Sequence, residues 1–303
     1  MVAVHPYLDG PHPRAFAHRG WHVGELAGME NSLGSFRRAA DEGYVYLETD
    51  VHATADGVVV VLHDETLERT TDGHGPVAAQ PWSAVRRARI NGVEPLCRLA
   101  DVLEELPHVK INIDVKADAA VVPVLDVLRR TGAWDRVCLA SFSERRLARL
   151  RAAGGDRLLT SLGTRGAAVL RVRSWLPRLA PARWPARPAA PRPAAGPAAG
   201  PAAGPAAGPV VETAPVTAPR ATPLLRGRLA QVPRRHGPVR VVDPALLRFA
   251  HRHGIEVHVW TVDAAEEMVA LLDLGVDGLV TDRPDVLRAV LQARNAWPGE
   301  RSA

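Results

Sequence analysis

From Phe16 onward, short apolar runs ending in polar residues alternate with stretches whose apolar residues recur every three or four positions. The first pattern suits strands buried on both faces and the second amphipathic helices; their alternation is the sequence form of a parallel sheet covered by helices. Eight strands are expected, at residues 16–18, 46–51, 111–116, 137–142, 158–161, 229–232, 257–260 and 278–281. Helices are expected between them, among others at 35–42, 119–131, 165–176 and 264–274, the last closing on Gly275 as a C-cap. The fold class is therefore α/β, and eight such units over residues 14–292 fit one TIM (β/α)8 barrel.

Two stretches break the alternation. Residues 54–96 hold a turn signal at Asp56-Gly57 and an extra strand at 58–62 that delivers His63-Asp64, so a small insertion is expected after the second barrel strand. Between 181 and 222 Pro and Ala dominate, and Pro-Ala-Ala-Gly repeats four times from Pro193 to Gly208. Proline at every fourth position forbids a helix, and no side chain there is large enough to build a core. This segment reads as a polyproline-biased linker, and without it the chain has the length of a single barrel.

Composition narrows the class. Hydrophobic residues make up 47% of the chain, enough for a sizeable core, and 38 Lys+Arg stand against 33 Asp+Glu. The basic excess is scattered along helical stretches without interleaved aromatics, which argues against a nucleic-acid partner. The two cysteines, Cys97 and Cys138, sit in apolar segments and are expected to be buried, forming neither a disulfide nor a thiolate metal site. The first residues lack a secretory pattern, and no apolar run reaches the ~18 residues of a membrane span. A cytoplasmic protein without an integral membrane segment is expected.

Chemistry gathers at the predicted strand ends. Glu48 and Asp50 lie two apart on one strand and share a face, with Thr49 turned away. Two adjacent carboxylates repel, so a cation is expected between them. Asp114 and Lys116 repeat the spacing on the next barrel strand, and His18-Arg19 closes the first. Polar residues arriving from several strands at the C-terminal face of such a barrel read as an active site. Three carboxylates without cysteine favour a hard divalent cation, Mg²⁺ or Ca²⁺, leaving histidine as proton carrier. His63 precedes Asp64, which is placed to orient it. Lysine occurs only at 110 and 116; Lys116 suggests a compact point charge at a carboxylate-lined strand end, while Lys110 reads as chance survival. His52, His74, His236, His251 and His253 are set aside, His258 reads as structural, and the Thr66 to Gly73 stretch is left out of the site.

Taken in order, His18-Arg19-Gly20, Glu30-Asn31-Ser32, Leu47-Glu48-Thr49-Asp50-Val51, His63-Asp64 and Arg69-Thr70-Thr71 strongly resemble the glycerophosphodiester phosphodiesterase family. Ile113-Asp114-Val115-Lys116, Ser141-Phe142, Trp260-Thr261-Val262-Asp263 and Gly278-Leu279-Val280-Thr281-Asp282 continue the likeness over about residues 14–290. The resemblance implies a TIM barrel with a small insertion after its second strand. It implies that His18 and His63 are the acid/base pair, that Arg19 and Lys116 bind the substrate phosphate, and that Glu48, Asp50 and Asp114 hold the metal. The family usually has Glu where this chain has Asp114, one methylene shorter.

The expected reaction is metal-dependent hydrolysis of a small glycerophosphodiester to glycerol 3-phosphate and an alcohol. A lysophospholipase D-like action on lipid-linked diesters is the alternative; it requires an apolar landing surface at the barrel mouth, for which Trp21 and Val23 are candidates. A non-catalytic binding protein is disfavoured, because every expected catalytic position carries a competent side chain.

Overall fold

A computed structural model describes residues 5–176 and 227–298. The segment read as a linker, 181–222, lies outside the described residues. Strands β1 (Arg14–His18) and β2 (Tyr46–Ala53) open the main sheet; β3 (Val59–Val61) turns back antiparallel onto β2, and β4 (Arg89–Ile90) pairs with β5 (Glu94–Pro95) in a separate ribbon. The sheet continues through β6 (Lys110–Val115), β7 (Val137–Ala140), β8 (Leu159–Thr160) and β9 (Leu229–Pro233). After the short ribbon β10 (Arg235–His236) and β11 (Val239–Arg240), it ends with β12 (Glu256–Trp260) and β13 (Gly278–Thr281). All eight expected barrel strands are present, and their parallel order is β8-β7-β6-β2-β1-β13-β12-β9. A single parallel bridge, Ser161 to Leu229, joins the two ends and closes the ring.

Helices α1 (Leu33–Asp41), α2 (Trp82–Val85), α3 (Leu99–Glu105), α4 (Val121–Thr131) and α5 (Glu144–Gly154) follow the first strands. Then come α6 (Thr164–Trp175), α7 (Pro244–Arg252), α8 (Ala265–Leu274) and α9 (Pro284–Ala293). Their ends follow local chemistry: Ser32 Oγ caps α1 by accepting the Ser35 amide at 3.0 Å, and α8 stops at Gly275, whose φ of 93° is left-handed.

Period-two alternation sorts the strand residues into two cores. Outward residues such as Leu47, Ile111, Ile113, Val257 and Leu279 pack with the helices in the main hydrophobic cluster. Phe16, Tyr46, Cys138, Leu159, Leu229 and Val280 fill the barrel itself, joined by Tyr7 from a 3₁₀ turn at Pro6–Leu8. Both cysteines are free and buried. A third cluster holds Val60, Leu62, Leu67, Val77, Val85 and Ile90, beneath the residues between β2 and α3.

Arg14 anchors the N-terminal end of the barrel. It binds Glu256 at 2.7 and 2.9 Å, the Tyr46 hydroxyl at 2.6 Å and the Leu8 carbonyl at 2.8 Å. Lys110 is not a chance survivor: its Nζ donates to the carbonyls of Pro6, Tyr7 and Asp9, tying the first turn to the barrel floor.

Candidate active site

Register brings the polar strand ends together. His18 lies beside Glu48 across β1 and β2, and Asp50 beside Asp114 across β2 and β6, so alternation turns all four into one mouth. Glu48, Asp50 and Asp114 are buried, at 7%, 2% and 6% exposure. Charge this dense in a low-dielectric site requires partners. Lys116 Nζ supplies one, 2.8 Å from Asp50 Oδ1 and 2.8 Å from Asp114 Oδ2. Arg19 Nε stands 3.3 Å from Asp50 Oδ2, and Asn31 Nδ2 donates to the same oxygen at 3.2 Å. Thr49, turned away as expected, donates to Asn31 Oδ1 at 2.8 Å and so fixes that amide.

The compensation is incomplete. Glu48 Oε2 and Asp114 Oδ1 are buried without a hydrogen-bond partner. His18 Nε2 comes within 3.6 Å of Glu48 Oε2, an ion-pair distance too long for a hydrogen bond. Burial, reinforced by the Asp50 charge, pushes the Glu48 carboxyl up to about 8. Burial also raises Asp114, against the pull of Lys116. Asp50 goes the other way: burial opposes its ionisation, but Lys116, Arg19 and His63 together hold it below the ordinary aspartate range.

The two histidines are held alike. His18 Nδ1 meets Asp282 Oδ1 at 2.6 Å, and His63 Nδ1 meets Asp64 Oδ1 at 2.6 Å. A carboxylate on Nδ1 assigns the ring proton there and leaves Nε2 to exchange protons with a ligand. For His18, burial lowers the pKa, but the Glu48 charge and the Asp282 hydrogen bond outweigh it.

Several contributors escaped the sequence reading. Arg69, inside the stretch left out of the site, binds Asp64 through Nε at 2.5 Å and Nη2 at 3.1 Å, and Glu30 through Nη1 at 3.0 Å and Nη2 at 2.7 Å. Glu30 in turn accepts Arg19 Nη1 at 2.9 Å. His52, set aside as surface, is buried and bonds the His63 carbonyl at 3.1 Å. His22 Nε2 shares Asp282 Oδ1 with His18, at 3.2 Å. Asp282 lay in a quoted motif but had no role, and nothing in the local pattern pairs it with a residue 264 positions away.

Arg19 and Lys116, expected to bind phosphate, are paired with Glu30, Asp50 and Asp114. Trp21, a candidate for an apolar landing surface, is partly buried and packs edge-on against Tyr44 at 6.3 Å, beside the helix-side core. Glu48, Asp50 and Asp114 share a mouth, yet among the described residues no three His, Cys, Asp or Glu side chains are grouped as a metal cage. The donor set still suits a hard cation, because two of its carboxylate oxygens are buried and unmatched.

The model of the glycerophosphoryl diester phosphodiesterase family matches residues 18–179 and 201–286 of this sequence. The chain belongs to this family. A Mycobacterium tuberculosis protein named "Probable glycerophosphodiester phosphodiesterase 2" is 38% identical over 286 residues, 94% of this chain and 93% of its own length. Among solved structures, a glycerophosphodiester phosphodiesterase from Agrobacterium tumefaciens superposes with a TM-score of 0.65 at 21% identity, covering 92% of this chain and 99% of that one. A phosphodiesterase from Oleispira antarctica, solved with the product sn-glycerol-3-phosphate, gives 0.66 at 17% identity, covering 93% and 97%. These structural likenesses establish the TIM-barrel fold, and family membership makes the chain a phosphoric diester hydrolase acting on glycerophosphodiesters. Among the described residues no helix is long and apolar enough to cross a membrane.

Proposed function

We propose that this chain cleaves small glycerophosphodiesters to glycerol 3-phosphate and an alcohol in a cation-dependent reaction, with His18 and His63 as its acid/base pair. The observation that carries the reading is the matched pair of 2.6 Å Nδ1–carboxylate contacts around a mouth with two unmatched carboxylate oxygens. Glu48, Asp50 and Asp114 would hold Mg²⁺ or Ca²⁺, which supplies a Lewis acid for the phosphoryl oxygens.

The chain's own groups do the rest. Asp282 and Asp64 each hold an imidazole by Nδ1 and leave Nε2 for proton transfer, so the histidine that enters neutral takes the proton of the attacking hydroxyl and the one that enters as imidazolium gives its Nε2 proton to the leaving alkoxide. Arg19 and Lys116 face the phosphoryl group while anchored to carboxylates, a preorganised field that needs little rearrangement as charge develops. The product-bound Oleispira antarctica structure supports the choice of glycerol 3-phosphate. The packing of Trp21 against Tyr44 and the helix-side core weighs against the lipid-linked alternative.

The test is hydrolysis of a panel of glycerophosphodiesters with and without chelator. Chelation should abolish turnover, Mg²⁺ or Ca²⁺ should restore it, and His18→Ala or His63→Ala should each lower kcat by at least about 10²-fold without changing the melting temperature. Full turnover in verified metal-free protein, or near-native kcat in either variant, overturns the corresponding part.

A further inference from the structure

A cavity of about 410 Å³ adjoins the His63 side of the mouth, lined by Gly28, Glu30, Arg69–Asp72 and Asn91–Gly92. Resting on the function just proposed, we infer that this cavity is the subsite for the leaving alcohol and that it selects a small uncharged polyol over an anionic or acyl-bearing group.

The wall it shares with the catalytic residues is a chain of ion pairs. His63 is held by Asp64, Asp64 by Arg69, Arg69 by Glu30, and Glu30 by Arg19. Arg69 and Glu30 also line the cavity, so a group leaving toward His63 enters a space bounded by the residues that orient that histidine.

Occupied hydrogen-bonding positions define what the space recognises. Four of the five guanidinium N–H groups of Arg69 are directed at Asp64 and Glu30, and both Glu30 oxygens accept from arginine. The positive charge there is already neutralised by two carboxylates, which leaves little to attract an anionic head group. The Thr71 hydroxyl is spent on the Leu67 carbonyl and the Gly73 amide. Asp72 Oδ1 accepts the Arg89 amide. The Thr70 hydroxyl and the Asn91 carboxamide have no side-chain partner among the described residues, and both offer a donor together with an acceptor. An alcohol hydroxyl needs that pairing, being itself donor and acceptor. An acyl chain laid there would cut the Thr70 hydroxyl and the Asn91 carboxamide off from water without giving them a hydrogen-bond partner.

The experiment uses the full chain and two substrates: glycerophosphoglycerol, whose leaving group is a polyol, and the methyl ester of glycerol 3-phosphate, whose leaving group is too small to reach the cavity. The variant is Thr70→Val combined with Asn91→Gly; Val is isosteric with Thr, and Gly tolerates the φ of 50° at position 91. Wild-type protein should prefer glycerophosphoglycerol. The double variant should lose about 10-fold in kcat/KM on that substrate and stay within two-fold on the methyl ester, the loss of two hydrogen bonds made only by the polyol. Equal losses on both substrates, or no loss on either, would refute the subsite while leaving the phosphodiesterase reading intact. If wild-type protein cleaves neither diester, the parent reading falls first and the subsite with it. Should the double variant melt early, Thr70→Val alone carries the same comparison.

Discussion

The two ends of the barrel interior bury charge in the same low-dielectric space and settle it differently. At the N-terminal end Arg14 is matched by Glu256, the Tyr46 hydroxyl and backbone carbonyls, and the buried atoms left without partners, the Tyr7 hydroxyl and His258 Nδ1, belong to an uncharged phenol and one imidazole nitrogen. At the C-terminal end three carboxylates face Lys116 and Arg19, and the unmatched atoms, carboxylate oxygens of Glu48 and Asp114 together with Arg19 Nε, belong to ionisable side chains. Burying such an atom without a hydrogen-bond partner costs free energy, so a fold selected for stability alone would remove it. Its retention at one end separates the site from the scaffold: the floor is balanced for folding, the mouth is left in debit for a ligand.

The sharpest way to break this contrast is to unbalance the floor. Arg14→Met takes from the largely buried Glu256 the two guanidinium bonds at 2.7 and 2.9 Å and should cost about 3–5 kcal/mol, a melting temperature lower by roughly 10 °C, while folded protein keeps its kcat. A loss of kcat at unchanged stability would erase the distinction between the two ends.

Acid titration sharpens it next. Burial works against ionised Glu256, but hydrogen bonds from His258 and Arg14 prevail and bring it down to about 2. A depressed carboxylate contributes stability above its unfolded value near 4.5 and loses it as pH falls through the folded one. Between about pH 4.5 and 2 the floor should therefore give up about 3 kcal/mol, and Glu256→Gln should flatten that limb of the denaturation curve. An unchanged limb in the variant would show that Glu256 is not the group responsible.

The smallest effect belongs to the mouth. Asp114→Asn removes the charge opposite Lys116 but keeps an amide oxygen to accept from its ammonium, and should move metal-free stability by about 1 kcal/mol. The rise in melting temperature that Mg²⁺ or Ca²⁺ gives the wild type should shrink sharply in the variant. Thermal melts with and without cation check both, and an undiminished shift would take Asp114 out of the ligand set.

What the sequence showed and what it hid divide along the same lines of distance. The period of two placed Glu48 with Asp50 and Asp114 with Lys116, because alternation on a strand is local; the eight strands were legible for the same reason. His63 with Asp64 was legible because they are neighbours. Hidden from any local pattern were contacts set by closure of the barrel, such as Asp282 on His18, and by the folding-back of the residues after β2, such as Arg69 on Glu30. That a cation stands among the carboxylates was legible from their repulsion; that Arg19 and Lys116 converge on Asp50 from different strands was not. Lys110 looked incidental since its partners are backbone carbonyls, which carry no side-chain signal.

The ring of strands is closed by its slightest member. β8 has two residues and meets β9 through one bridge, with amide bonds from Leu162 to Leu229 at 2.7 Å and from Arg228 to Thr160 at 3.3 Å. Every other junction in the wall is a ladder of two to six paired residues, so this one behaves as a seam. Chain length inserted across a seam costs only the slow logarithm of loop closure and disturbs no ladder. Residues 177–226, with their repeated Pro-Ala-Ala-Gly units, fall in the connection across it. The reacting end is built on other junctions, the ladders that join β1, β2 and β6, so a change of length in that connection leaves their register in place.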